Sequence, residues 1–168
     1  MRAALFHENG GPDVVRVEEV PTPEPGPGEV RLKVRAAALN HLDLWVRRGL
    51  PNLKTRFPHV GGSDMAGEVD AVGPGVEGVE PGTRVVVDPS LDYDWYDATS
   101  SGEALPPPRF RILGEHLDGG FAERVAVPQR NLYRLPEDVD LVRAAAAPLV
   151  YQTAWRALAS ASSSMSVA

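Results

Sequence analysis

The segment from His59 to Pro89 constrains the fold of this chain more strongly than any other part of the sequence. It contains two patterns that predict short strands, Ala66–Val72 and Arg84–Val87, and its turn residues are Gly73-Pro74-Gly75 and Pro81-Gly82. Strand-forming residues enclosed by glycine and proline at this spacing are typical of the corners of β-structure and not of helices. The 168 residues include 16 glycines and 16 prolines, so we expect many turns and few long helices.

Several other segments have the pattern of a strand. Alternation of apolar and polar side chains indicates a strand with one buried face. From alternation and flanking turn residues we predict further strands at Met1–His7, Val14–Val20, Val30–Ala36, Phe121–Val127 and Asn131–Leu135. Many short strands with proline-rich corners favour a closed or nearly closed barrel.

Helical patterns occur in two places. Apolar residues recur at helical spacing over His41–Arg48, which predicts a short helix that ends at Gly49. Near the end of the chain, alanine-rich sequence predicts two helices, Leu141–Ala147 and Val150–Ala159, separated by a proline. The last segment, Ser160–Ala168, should be a flexible tail.

Composition argues against several classes of function. The 17 basic and 23 acidic residues give a net charge of −6, which argues against nucleic acid as the main partner. The sequence has no run of about 18 apolar residues and no secretory signal at its start, so we expect no membrane span and a cytoplasmic location. The absence of cysteine excludes disulfides, iron–sulfur clusters and thiolate zinc sites.

Residues 73–78 match the G-x-G-x-x-G pattern of dinucleotide-binding loops and follow a predicted strand. Such a loop must open a helix, because the N–H groups of the helix N-terminus bind the pyrophosphate. Here Pro81-Gly82 and another strand follow, and Pro74 removes a backbone donor. We therefore interpret the match as a β-turn.

Two motifs are similar to a known family. They are the triplet Gly62-Ser63-Asp64 with the Gly-Glu-Val strand that follows it, and Pro81-Gly82-Thr83-Arg84-Val85. With them the chain resembles the medium-chain dehydrogenase/reductase superfamily, which includes zinc alcohol dehydrogenases and quinone oxidoreductases. The resemblance covers nearly all of Met1–Ala159. It implies a mainly β fold with a few short helices, the GroES-like, partly closed β-barrel of the superfamily's N-terminal catalytic domain.

The resemblance also implies a domain organisation. Residues 1–138 would form the GroES-like catalytic domain, which includes a lobe at 88–117. Residues 139–159 would form helices that lead into the family's Rossmann domain, and 160–168 the flexible tail. The Rossmann domain, with its dinucleotide-binding motif, is expected to be absent from this chain.

Zinc-dependent relatives hold the catalytic ion with two cysteines and the histidine of a Gly-His-Glu triplet. The matching positions here are Asn40, Ser63 and Leu149, and Asp64 stands for the glutamate. An amide, a hydroxyl and an alkyl chain do not make a tight zinc site, so we expect no catalytic zinc. A different metal site is an alternative, although the spacing of its residues does not require it. Its ligands would be His41, His59, Asp43 and Asp64.

The lobe of zinc-dependent relatives holds four cysteines around a structural ion. The corresponding positions here are Tyr93, Tyr96, Thr99 and Pro107, so no structural zinc is expected either. Two interpretations of the lobe remain open. It is either a disordered acidic loop, or a lobe in which aromatic side chains pack in place of the ion, namely Tyr93, Trp95, Tyr96 and Phe110.

Without metal, the chain resembles the quinone oxidoreductase branch. The resemblance implies that Asn40 and Asp43 lie beside nicotinamide and substrate, and that the Asn40 amide polarises a substrate carbonyl for hydride delivery. Ser63 and Asp64 would bind a substrate hydroxyl. The candidate catalytic residues are therefore Asn40, Asp43, Ser63 and Asp64, and the candidate cofactor-binding residues are Asn40, His41 and Thr153.

Each of these residues also has a simpler structural interpretation. Asn40 is a favourable residue for capping the short helix. Asp43 has the right spacing for an ion pair with Arg47. Ser63 and Asp64 can shape the turn before the strand, and Thr153 can be a packing residue.

The sequence leaves two hypotheses of different class. The first is the catalytic-domain portion of a zinc-independent NAD(P)-dependent oxidoreductase that acts on a small carbonyl compound or quinone and is inactive alone, because the chain by itself is not expected to bind NADPH or NADH. The second is a stand-alone GroES-like barrel with a structural or interaction role. We expect homodimer formation, or fraying of the C-terminal helix, because apolar residues would lose the cover of a partner domain: Val142, Leu149, Val150, Trp155 and Leu158.

Overall fold

The computed structural model describes residues 1–51, 53–91 and 111–165. The strands are β1 (Arg2–Phe6), β2 (Arg16–Glu19), β3 (Glu29–Ala38), β4 (His59–Val60), β5 (Asp64–Val72), β6 (Arg84–Val87), β7 (Ser90–Leu91), β8 (Arg111–Ile112), β9 (Arg124–Pro128) and β10 (Leu132–Arg134). The helices are α1 (His41–Arg48), α2 (Leu141–Ala145) and α3 (Pro148–Met165). The predictions for the lobe concern residues 92–110, which lie outside the described residues.

The strands form an antiparallel, partly closed barrel. Five of them make one sheet in the order β10-β6-β5-β3-β9, three make another in the order β2-β1-β4, and β7 pairs with β8. The two larger sheets meet beside β1, where Ala4 N–H donates to Phe121 O over 2.7 Å and Ala3 bridges to Ala122. The predicted fold class, mainly β with a partly closed GroES-like barrel, is confirmed.

Alternation along the central strands places the main hydrophobic core inside this barrel. In β3 the fully buried Val30 and Leu32 alternate with less buried residues, and Met65 of β5 packs in the same cluster. The cluster also contains Val85 and Val87 of β6 and Val127 of β9. Each of these buried side chains contributes about 1.5–3 kcal/mol to folding, so the barrel is the stable body that carries the connections around it.

The predicted element types are correct, and several boundaries differ. Helix α1 and strand β6 have the predicted bounds. Helix α3 begins at Pro148 and not at Val150, because the first position of a helix tolerates proline, whose missing N–H would have no helical partner there. It also continues to Met165, past the predicted end at Ala159. The flexibility of the last residues stays a prediction.

The G-x-G-x-x-G match at residues 73–78 is a connection between β5 and β6, as predicted from its context. No helix begins there. Gly75 has a φ of 78°, and Gly73 N–H donates to Glu29 O over 2.8 Å. This segment therefore forms a turn and not a phosphate-binding loop. No helix in the described residues is both long and apolar enough to cross a membrane.

Candidate active site

Asn40 lies where strand β3 passes into helix α1. It occupies the N-cap position with extended backbone angles, φ −121° and ψ 160°. Its backbone N–H donates to Asp43 Oδ2 over 2.7 Å, an interaction typical of a capping box. The predicted capping position of Asn40 is thus confirmed. Its side-chain nitrogen Nδ2 points elsewhere and donates to Asp64 Oδ2 over 3.1 Å.

Asp43 is a buried carboxylate that fixes two backbone segments. Besides Asn40, its Oδ1 accepts from Gly62 N–H over 3.0 Å. Burial raises the pKa of Asp43 above its ordinary value of 3.8, the nearby Asp64 carboxylate adds to the shift, and the hydrogen bonds from Asn40 and Gly62 oppose it. The ion pair with Arg47 is not formed, because the Arg47 guanidinium donates instead to Gly10 O over 3.1 Å.

Asp64 begins strand β5 and is only 1% exposed. Each of its oxygens has a partner: Oδ2 accepts from Asn40 Nδ2, and Oδ1 accepts from Leu149 N–H over 2.9 Å. Burial raises the pKa of Asp64 above 3.8, while the bonds from Asn40 and Leu149 oppose the shift. Because an ionised carboxylate only accepts hydrogen bonds, the nitrogen side of the Asn40 amide faces Asp64.

Ser63 lies between Gly62 and Asp64 but is fully buried at 0% exposure, and its Oγ has no hydrogen-bond partner among the described residues. Gly62 has a φ of 96°, and a Cβ there would lie 2.6 Å from the Phe121 ring. Only glycine suits this position. The triplet is therefore a tightly packed turn whose Asp64 side chain reaches the site, while Ser63 has no access to substrate in this conformation.

The donor groups present do not fit a catalytic zinc ion. Asn40 Nδ2 is held by Asp64, the Ser63 hydroxyl is a poor zinc ligand, and the Leu149 side chain has no atom that can bind a metal. Within the described ranges, no three His, Asp or Glu residues lie close enough together to hold a metal. The alternative set does not assemble, since His41 is exposed beside Trp45 and the His59 ring bonds to Gly114 O over 3.0 Å.

Thr153 lies one turn into helix α3. Its Oγ1 donates to Leu149 O over 2.8 Å and the residue is exposed. Beside it, Gln152 Oε1 accepts from Ser90 Oγ of β7 over 3.3 Å. The roles of Thr153 and His41 in cofactor binding stay predictions, and both residues are exposed.

Three of the predicted site residues, Asn40, Asp43 and Asp64, lie together in the structure, whereas the backbone donors that hold the two acids were not predicted. Gly62 N–H and Leu149 N–H carry no sequence signal, since every residue except proline has this group. The Asn40-x-x-Asp43 spacing was a usable signal for the capping interaction.

An antiparallel, partly closed barrel with this cluster at its edge has the architecture of a GroES-like catalytic domain. Residues 26–137 match the family model of the alcohol dehydrogenase GroES-like domain. The chain therefore belongs to this family, the N-terminal domain of the medium-chain dehydrogenase/reductase superfamily, and the predicted resemblance is confirmed.

Several similar proteins are named as oxidoreductases. A solved NAD-dependent alcohol dehydrogenase is 49% identical with a TM-score of 0.84 over 93% of this chain and 46% of its own. The quinone oxidoreductase of Homo sapiens is 31% identical over 159 residues, 94% of this chain and 40% of its own length. The starvation-sensing protein RspB of Escherichia coli (strain K12) is 38% identical over 128 residues, 76% of this chain and 38% of its own. The chain spans less than half the length of each of these relatives.

Proposed function

We propose that this chain is the catalytic-domain portion of a zinc-independent, NAD(P)-dependent oxidoreductase that reduces a small carbonyl compound or quinone. The observation that carries the proposal is the hydrogen bond of Asn40 Nδ2 to Asp64 Oδ2, at a position where zinc-dependent relatives have a metal ligand. An amide held by a buried carboxylate replaces the ion there as the group that orients the acceptor.

The chemistry of an amide supports this role. A side-chain NH2 group has two hydrogens, and one of them is engaged by Asp64. The second can donate to the carbonyl oxygen of a substrate and stabilise the negative charge that develops on it. The nicotinamide cofactor, when bound, supplies the hydride. Asp43 acts through the backbone, because it fixes Asn40 N–H and Gly62 N–H and so holds the two segments of the site together.

Cofactor binding is proposed to need more than these residues. Holding a dinucleotide beside its acceptor can supply about 7–11 kcal/mol of the reaction barrier, so the nicotinamide must be positioned firmly. The described residues contain no strand, glycine-rich turn and helix of the kind that binds a pyrophosphate. We therefore propose that the 168-residue chain supplies one wall of the active-site cleft, and that a dinucleotide-binding domain supplies the other.

Titration of the purified chain with NADPH, followed by nicotinamide fluorescence, tests this division of roles. We expect no binding in the micromolar range, because His41 and Thr153 alone offer few contacts to a dinucleotide. The chain is titrated with NADH in parallel, and the solved NAD-dependent relative titrated with NADH serves as the positive control. Micromolar binding by the 168-residue chain would contradict the proposal.

A second candidate function is favoured by one observation, the exposed apolar face of α3. Val150, Tyr151, Trp155 and Leu158 are 54%, 72%, 75% and 70% exposed. Exposed apolar patches commonly mark interaction surfaces. This exposed face can be covered by a partner domain, by a second copy of the chain, or by another protein that binds the chain as an interaction module without activity. Sedimentation of the purified chain would show whether it forms a homodimer.

A further inference from the structure

Asp64 connects the start of helix α1 with the start of helix α3, two segments that are far apart in the chain. One oxygen holds the Asn40 amide, 24 residues earlier in the chain, and the other accepts from Leu149, 85 residues later. The carboxylate is 1% exposed, so solvent does not compete for either oxygen. Loss of one partner would leave a buried acceptor unpaired, which is costly enough to favour rearrangement.

The contact with Leu149 lies at the first turn of α3. Pro148 is the first residue of that helix and has no N–H, so Leu149 carries its first available backbone donor. A carboxylate at this end also interacts favourably with the dipole of the 18-residue helix. The docked helix therefore stabilises the ionised form of Asp64, and that form accepts the hydrogen bond of Asn40.

Among the described residues, two hydrogen bonds join the first turns of helix α3 to the strands: the Asp64–Leu149 bond and the longer bond of Ser90 Oγ to Gln152 Oε1, 3.3 Å. Beyond them Tyr151 and Trp155 are exposed. A helix attached in this way can shift more easily than the strands of the barrel.

We infer that Asp64 is a positioning residue that couples the orientation of the Asn40 amide to the docking of helix α3. Withdrawal of α3 removes the partner of Oδ1 and releases the amide from its present orientation. The catalytic consequence rests on the proposed function. If Asn40 polarises the acceptor, whatever binds the exposed face of α3 also sets the geometry of the polarising amide.

Nuclear magnetic resonance of the full 168-residue chain tests the coupling without cofactor or substrate. In Asp64→Asn, one of the two oxygen positions becomes an NH2 group, which cannot accept a hydrogen bond, so Leu149 N–H and Asn40 Nδ2 cannot both keep their present bonds. We expect hydrogen exchange at Leu149 to become about tenfold faster, the effect of losing one ordinary hydrogen bond, together with a changed shift of the Asn40 side-chain amide.

The matched control is Asp118→Asn. Asp118 also accepts a backbone hydrogen bond, from Val60 N–H over 2.9 Å, and lies 3.8 Å from His59 Nδ1; neither contact involves Asn40 or α3. This variant should leave both signals unchanged. A change at only one of the two sites in Asp64→Asn, or equal changes in both variants, would overturn the inference.

A second measurement covers the case in which Asp64→Asn does not fold. In the unmodified chain, low urea concentrations should open α3 before the barrel, and the Asn40 amide signals should shift over the same range while β5 amides stay protected. Separate transitions would overturn the coupling. Neither measurement depends on hydride transfer. A negative result would therefore reject the coupling but not the proposed function, which the NADPH titration tests separately.

Discussion

Replacing Asn40 by alanine should lower the rate of carbonyl reduction by about 10²- to 10³-fold, the usual effect of removing one donor to a developing oxyanion. The measurement needs a complete enzyme. A suitable one is a chimera in which residues 1–159 replace the corresponding part of the 49%-identical NAD-dependent alcohol dehydrogenase. The family resemblance assigns dinucleotide binding to the remaining part of that relative. We expect the loss in kcat with a benzoquinone or an aldehyde as acceptor.

The control for this prediction is Asn9→Ala. Asn9 bonds to the other end of the same helix, where its Nδ2 donates to Val46 O over 2.9 Å and to Arg47 O over 3.2 Å. Its loss should reduce stability by about 1 kcal/mol and leave kcat unchanged. Equal kcat values for Asn40→Ala and the unmodified chimera would rule out a catalytic amide at position 40.

Replacing Gly119 by alanine should destabilise the chain by about 3 kcal/mol, at the upper end of the range for overpacking. A Cβ at this position would collide with Gly62 O and lie 2.7 Å from Gly61 O and 2.8 Å from Gly114 Cα. Backbone atoms cannot move aside as a flexible side chain can. The displaced segment carries Gly62 N–H, the partner of Asp43, so the site should be disturbed together with the fold.

Denaturant unfolding of Gly119→Ala beside Gly78→Ala separates packing from backbone strain. Gly78 has a φ of 68°, and a Cβ there would meet nothing within 4 Å. Its replacement should therefore cost only the conformational strain, about 1–2 kcal/mol. If Gly119→Ala lowers the free energy of unfolding no more than Gly78→Ala does, the close packing of Gly119 against Gly62 does not contribute to stability as proposed.

The sequence predicted the barrel well because its signals are local. The bounds of α1 follow from helical spacing and a terminal glycine, and the strands around Gly73 follow from alternation and turn residues. Residues 73–78 match the pattern of a dinucleotide-binding loop but form a turn, as predicted. The strand that follows them, and not the glycine pattern, indicates the correct structure. These features depend on neighbouring residues, and the sequence displays them directly.

The site was predictable only in part, for a physical reason. The triplet motif and the Asn40-x-x-Asp43 spacing placed three candidate site residues in one region. The partners of Asp64, however, come from segments 24 and 85 residues away, and one of them is a backbone N–H. The full burial of Ser63 was also not visible in the sequence, because exposure depends on the packing of segments that are distant in the chain.

The zinc content of the purified chain, measured by mass spectrometry after dialysis, shows whether a metal or the Asn40 amide orients the acceptor. We expect substoichiometric zinc, since neither Asn40 nor Ser63 is a strong zinc ligand. One tightly held zinc ion per chain, lost on replacement of Asn40 or Asp64, would contradict it.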